Sequence, residues 1–258
     1  MSAALPSLVW RAFAAPKAGN APTEFEDAFA GDPEFGRFAV ADGATESVFA
    51  GTWAKLLADG CVSQRGPWSG WLPTARRQWA EQCQREDMPW YLEEKYAEGA
   101  FAALLAVWFR GPDRWHAAAV GDACLFHVRN HELLRAFPVR HSRDFGNRPM
   151  LLGSHDPGRS KRIKRRRLQS DWHAGDHLLL ATDALAHWFL KEAEQGRRPW
   201  TELLRLETND EFAAWLECRR NENEIRNDDV TLICITPKGF DLKAQGRAAH
   251  PGFGMNPG

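Results

Sequence analysis

The sequence predicts a layered α+β domain, with helices grouped between blocks of strands and not alternating with them one for one. Three observations carry this. Several apolar runs have strand length, and one of them, Ala100 to Arg110 (AFAALLAVWFR), is almost free of polar residues. Other segments repeat their apolar residues at helical spacing and cluster after the first strands and between later ones. The chain has 258 residues, 44% of them hydrophobic and 26% charged, which is enough to bury a large core and excludes a disordered chain, a collagen or a coiled coil. At about 150 residues per domain the length allows one large domain or two small ones. No fixed-period repeat and no long Gly/Ser or Pro-rich linker divides it, so a single domain over residues 1–245 is expected, with an irregular tail over 246–258 that contains RAAHPGFGMNPG (Arg247 to Gly258).

The strands are expected at Phe35 to Ala41, Ala100 to Arg110, Trp115 to Val120, Cys124 to Arg129, His177 to Thr182 and Val230 to Thr236. Continuous apolar character over such short spans is what a strand buried on both faces requires. Gly121-Asp122 reads as a tight turn or a bend between two of them. The first helix is expected behind Thr45 as a cap, with Phe49, Trp53, Leu56 and Leu57 at i, i+4, i+7 and i+8 and Gly60 as its stop. Pro73 is placed to open a second helix that Pro89 interrupts. Leu185, Trp188 and Phe189 share one helical face with Gly196 near its end, and Phe212, Trp215 and Leu216 share another behind Thr208 or Asn209.

Lys+Arg number 33 against 34 Asp+Glu, for a net charge of −1, so a protein that works mainly by gripping nucleic acid is not expected. No stretch reaches the roughly 18 uninterrupted apolar residues of a membrane span. The N-terminal segment lacks a leading basic region and reads as an ordinary start and not a signal peptide. The five cysteines (Cys61, Cys83, Cys124, Cys218 and Cys234) are odd in number and none forms a C-x-x-C pair. Reduced thiols in a cytoplasmic protein fit this better than a zinc site or a disulfide framework.

The informative pattern is where the carboxylates fall. Asp42 ends an apolar strand and is followed by Gly43, Asp183 ends another, and Asp228-Asp229 precede a third. Glu26-Asp27 border the short run Ala28-Phe29-Ala30, and Asp122 follows Gly121. Acids at strand ends serve as caps and turn residues in many proteins. If these strands are neighbours, their acids converge at the rim of a sheet, where two carboxylates ~4 Å apart repel by roughly 4 kcal/mol at an effective dielectric of ~20. Such a cluster must protonate or bind cations, and oxygen-only sites favour Mg²⁺ or Mn²⁺ over zinc. Glycine after the aspartate lets backbone approach closely.

FED, FAVADGATES, VGDACLFHVR, LLLATDALAHW and NDDVTLICI stand in that order between Phe25 and Ile235. They resemble the successive N-E-D, D-G, G-D-S, T-D-G and D-N-[VM]-[ST] motifs of the metal-dependent protein phosphatases, the type 2C serine/threonine phosphatases (PPM), and look most like a bacterial member. The resemblance implies a four-layer αββα sandwich of two mainly antiparallel sheets flanked by helices. It implies a centre of two Mg²⁺ or Mn²⁺ ions, with room for a third, at one edge of the sandwich. By motif, Asp42 would bridge the pair and Gly43 would offer its carbonyl. Asp183 and Asp228 would ligate the second ion, Glu26 and Asp27 would ligate or hold metal-bound water, and Asp122 would help hold the third. Asp27, Asp42, Asp183 and Asp228 would thus carry catalysis, in which a metal-bridged hydroxide attacks phosphorus in line with no covalent enzyme intermediate.

The chain departs from the family's pattern at several positions. Pro22 stands where many members carry a phosphate-holding Arg, and Lys17 is the nearest basic residue upstream. Phe25 replaces the Asn of N-E-D, Ala44 stands where some members have a His that protonates the leaving group, and Ala184 replaces the Gly of T-D-G. His187 stands where some members have a further metal-binding Asp. The expected activity is hydrolysis of phosphoserine or phosphothreonine on a protein partner, by a cytoplasmic monomer. A phosphatase-like binding module without turnover and a phosphatase for small esters are the alternatives. Two features lie outside these motifs. The basic run Ser160 to Leu168 (SKRIKRRRL), behind the irregular-looking Phe145 to Arg159, reads as a solvated flap or a surface that attracts phosphorylated partners. Trp68 and Trp71 in GPWSGWLP read as a loop that could expose an aromatic patch, whereas Trp53, Trp79, Trp188 and Trp215 read as core.

Overall fold

The computed structural model describes residues 4–64, 66–84, 88–146, 149–155 and 165–238; the expected tail over 246–258 and the run 160–164 of the basic segment lie outside the described residues. Two antiparallel sheets form the centre. The first orders its strands β1 (Leu8–Ala15), β11 (Val230–Pro237), β10 (Asp176–Ala181), β6 (Cys124–Arg129) and β7 (Glu132–Phe137). The second orders β2 (Ala28–Asp32), β3 (Arg37–Gly43), β4 (Phe101–Phe109), β5 (Arg114–Val120) and β9 (Arg166–Asp171), with the two-residue β8 (Leu152–Gly153) also paired to β4.

Alternation along each central strand builds three hydrophobic layers. Phe38 and Val40 of β3, Leu105 and Val107 of β4, Leu178 and Leu180 of β10 and Ile233 and Ile235 of β11 meet between the sheets. Their neighbours point outward. Ala39, Ala41, Ala102 and Ala106 lie beneath α1 (Ala50–Ser63) and α2 (Trp68–Cys83), where their small side chains leave room for Trp53, Trp68, Trp71 and Trp79. Leu179, Leu232 and Cys234 lie beneath α4 (Asp183–Glu194) and α6 (Asn209–Asn221). Both faces of the central strands are therefore dry, which is why they read as continuous apolar runs. This is the expected four-layer sandwich. All five cysteines are free.

Local details correct several expectations. Thr45 does not cap α1; Phe49 does, in the left-handed region at φ 56°, and residues 44–49 form turns. Gly60 is not the stop, because α1 runs on to Ser63. A Cβ at Gly60 would lie 2.6 Å from the Trp71 ring, so glycine is there to let two helices touch. Pro73 lies inside α2 and does not open it. An interior proline costs about 3 kcal/mol, but Trp68, Trp71 and Leu72 are all buried beside it, at roughly 1.5–3 kcal/mol for each large apolar side chain. Trp68 and Trp71 are thus core and form no exposed patch. Pro89 caps the short α3 (Trp90–Glu98). Thr208 caps α6 through its hydroxyl and a reciprocal Glu211. Gly121-Asp122 carries the chain from β5 in one sheet to β6 in the other, so it links the layers and closes no hairpin.

Candidate metal centre

Strand register brings the acids together. Ala28 pairs with Ala41, so the next residues out, Asp27 and Asp42, face one another at the end of the second sheet. In the first sheet Ala181 pairs with Cys124 and with Leu232. Two residues further out along each strand, Asp183 comes opposite Asp122, and Asp228-Asp229 flank the start of β11. β10 and β11 lie against β3 across the sandwich, which joins the two groups of acids at one edge. Asp183 opens α4, where the helix dipole favours a negative charge.

Electrostatics report the crowding. Burial, then the charges of Asp27, Asp183, Asp122 and Asp228, hold the Asp42 carboxyl well above the usual range. Asp27 is also pushed well up, first by burial, against which the Thr182 and Thr231 hydroxyls act, and then by Asp229 and Asp183. Asp122 is raised to about 6 by burial and by Asp183, although Arg226 opposes this. Glu26 is raised by burial and by Asp229 and Asp228, with Thr45 hydrogen-bonded to it in opposition. Thr45 thus supports the acid cluster and not a helix. The Oδ2 atom of Asp27 is buried and makes no hydrogen bond with any described residue.

Gly43 has a structural task at this edge. A Cβ there would stand 2.6 Å from the Glu26 carbonyl oxygen and 3.0 Å from Ala50. Only glycine lets the Glu26-Asp27 segment pass close enough to put Asp27 beside Asp42. Asp229 fixes the same segment from the other side, accepting hydrogen bonds from the backbone N–H groups of Lys17 and Glu26, each at 2.7 Å. The two adjacent aspartates are therefore unlike: Asp229 holds backbone, while Asp228 faces the cluster.

Arg226, which the sequence reading did not single out, is the main addition. Its Nη2 donates to Asp183 Oδ2, and its Nε lies 3.2 Å from Asp228 Oδ2. Charge balance was the available signal: a group of buried acids requires a cation, and an arginine stands two residues before Asp228. Arg220, also unflagged, donates to the carbonyls of Pro16 (3.0 Å) and Asp228, which pins the loop before β11. His187 packs edge-on against Phe145, with ring centroids 5.5 Å apart.

The donor set suits a hard divalent cation: it is made of oxygens, it is over-charged for its burial, and it includes an orphaned Asp27 oxygen. Asp27, Asp42, Asp183 and Asp228, with the Gly43 carbonyl and Asp122 beside them, could hold such ions. Among the described residues no three His, Cys, Asp or Glu side chains are gathered as tightly as a bound ion would draw them. Arg226 occupies the position between Asp183 and Asp228.

No helix among the described residues is long and apolar enough to cross a membrane. The chain gives no match to curated protein sequences. Its fold is similar to that of serine/threonine phosphatase Stp1 from Staphylococcus aureus, at 16% identity and a TM-score of 0.63 over 93% of this chain and 98% of that one. It is similar to the Mycobacterium tuberculosis serine/threonine phosphatase PstP/Ppp, at 18% identity and a TM-score of 0.58 over 89% and 98%. It is also similar to the catalytic domain of PstP in complex with two manganese ions, at 20% identity and a TM-score of 0.55 over 89% and 97%. At these identities the likeness is one of fold. The model of the protein phosphatase 2C family matches residues 23–219, which include Asp27, Asp42, Asp122 and Asp183 but stop short of Asp228. That match spans well over half of the chain, and the chain belongs to the protein phosphatase 2C family.

Proposed function

We propose that the protein is a metal-dependent phosphatase that removes phosphate from phosphoserine or phosphothreonine on a protein partner in the cytoplasm. The observation that carries this reading is the convergence of buried carboxylates from both sheets on one edge, with Asp27 Oδ2 left without a hydrogen bond. Asp27, Asp42, Asp183 and Asp228, with the Gly43 carbonyl, are the groups that would hold two Mg²⁺ or Mn²⁺ ions, and Asp122 would hold a looser third. Such ions, when bound, lower the pKa of water and offset charge on a phosphoryl group.

The chain's own residues set the geometry. Gly43 and Asp229 keep Asp27 beside Asp42, and the Thr182 and Thr231 hydroxyls support the charged form of Asp27. Ala44 offers no proton donor, so the leaving oxygen would have to take its proton from water or another residue. The test is release of phosphate from a phosphothreonine peptide and from para-nitrophenyl phosphate with Mn²⁺. Asp42→Asn and Asp183→Asn should each lower the rate at least 100-fold, and excess chelator should abolish it. Activity that survives these changes overturns the mechanism. Hydrolysis of small esters but of no phosphopeptide would assign a small-molecule substrate instead.

A binding module without turnover is the second reading, favoured by Arg226 between two of the acids, by Pro22 where the resemblance would place a phosphate-holding Arg, and by Ala44. It predicts no phosphoester hydrolysis under any metal condition.

A further inference from the structure

Arg226 is held in an unusual way. Its backbone is pinned on both sides: Ile225 is buried, and Asn227 exchanges two hydrogen bonds with Ala18, from Ala18 N–H to Oδ1 at 2.7 Å and from Nδ2 to the Ala18 carbonyl at 3.2 Å. Its side chain is half exposed and forks between Asp183, just past the end of β10, and Asp228, just before the paired strand β11. A guanidinium stays charged at any working pH and presents several donors in one plane, a geometry that suits carboxylate and phosphate alike. Arg220, by contrast, is already committed to two backbone carbonyls.

The guanidinium uses Oδ2 of Asp183 and Oδ2 of Asp228, and a divalent ion drawn to the same oxygens repels it and competes for their lone pairs. A divalent ion held by Asp183 and Asp228 therefore weakens both ion pairs of the guanidinium together. The pinned backbone then keeps Arg226 at the rim of the site, with an unpartnered positive fork over the cluster. An anion that approaches the same edge meets it there.

We propose that Arg226 is the site's built-in counter-cation, which a divalent ion displaces and which then binds the oxygens of the substrate phosphate. This rests on the cation-binding reading above. Arg226 is a binding residue on this account, and it sets both the threshold for metal and the affinity for phosphate.

The test uses the full chain, stripped of metal, as wild type, Arg226→Ala and Arg226→Lys. Mn²⁺ is titrated calorimetrically, and inorganic phosphate is then titrated at saturating Mn²⁺. Arg226→Ala should bind Mn²⁺ at least 3-fold more tightly, because its competitor is gone, and phosphate at least 10-fold more weakly. For para-nitrophenyl phosphate its KM should rise more than its kcat falls. Arg226→Lys should keep part of the competition with metal but little of the phosphate affinity. A variant that merely loosened the site would bind Mn²⁺ less well, so the sign of that change separates the two roles. Unchanged or weaker Mn²⁺ binding in Arg226→Ala, or unchanged phosphate binding, overturns the proposal. If the wild type binds Mn²⁺ and turns over while Arg226→Ala behaves identically, this inference alone fails. If neither protein binds Mn²⁺, the cation-binding reading fails with it.

Discussion

Strand β10 has an aspartate at each end, Asp176 at its start and Asp183 just past its finish, roughly 23 Å apart at strand rise. The two are held in opposite ways. Asp176 is fully buried and fully answered: Arg129 donates through Nε at 2.5 Å and Nη2 at 2.8 Å, the His173 N–H donates at 2.8 Å, and His127 Nε2 lies 3.1 Å away. Burial works against its charge, but these partners outweigh it and hold the carboxyl at about 2. At the other end Asp42, Asp27 and Asp122 are all pushed upward, and one half-exposed arginine serves Asp183 and Asp228. Acids that stabilise a fold are neutralised within it. Acids left over-charged at an edge store a demand for a ligand.

The contrast is open to attack by mutation. Asp176→Ala leaves His127 unpaired in the interior and takes the carboxylate from the partly exposed Arg129, and chemical denaturation should show a loss of about 3 kcal/mol. The neighbouring His177 gives a pH signature to the same end. Burial pushes its imidazole down to about 4, whereas the unfolded side chain titrates near 6.5. At this side chain the folded chain therefore binds fewer protons, and its contribution to stability, complete above about 6.5, should be lost by up to about 3 kcal/mol as pH drops to about 4, against the opposite contribution of the raised Asp27, Asp42 and Asp122. Asp176 stays charged throughout, so His177→Gln should flatten that slope relative to wild type.

At the acid edge Gly43→Ala should cost about 1–3 kcal/mol through its clash with the Glu26 carbonyl and should weaken Mn²⁺ binding by displacing Asp27. Asp42→Asn gives the smallest effect and the sharpest contrast. It removes a like charge, so the metal-free protein should be unchanged or more stable by up to about 1 kcal/mol in the same denaturation assay. A large loss there would show that the acid edge is satisfied internally, like Asp176.

The central strands were legible because both of their faces are buried. β3, β4, β5, β6, β10 and β11 all announce themselves as apolar runs. β1, β2, β7 and β9 lie at sheet edges, and the sequence reading did not define them. Edge strands carry polar residues such as Arg11, Arg135, Arg166 and Asp171, which break the pattern that marks a strand. The helices α4 and α6 were legible from their apolar faces, but the start of α2 was not, because Pro67, Gly70 and Pro73 gave it the composition of a loop. At the site, the motif aspartates could be named in advance because each stands beside an apolar run. Their adjacency depends on register between distant strands, and no local pattern encodes that. Arg226 and the tying role of Asp229 escaped for the same reason, since each acquires its meaning from a partner far away in sequence: Asp183 for the first, Lys17 and Glu26 for the second.

The most direct measurement is equilibrium dialysis of the metal-free chain against Mn²⁺, with bound metal counted by elemental analysis. The account predicts saturable binding of two ions in the wild type and in Asp176→Asn if that variant folds, and loss of that binding in Asp27→Asn and Asp42→Asn. A wild-type chain that holds no Mn²⁺, or aspartate variants at the acid edge that hold as much as the wild type, would contradict it.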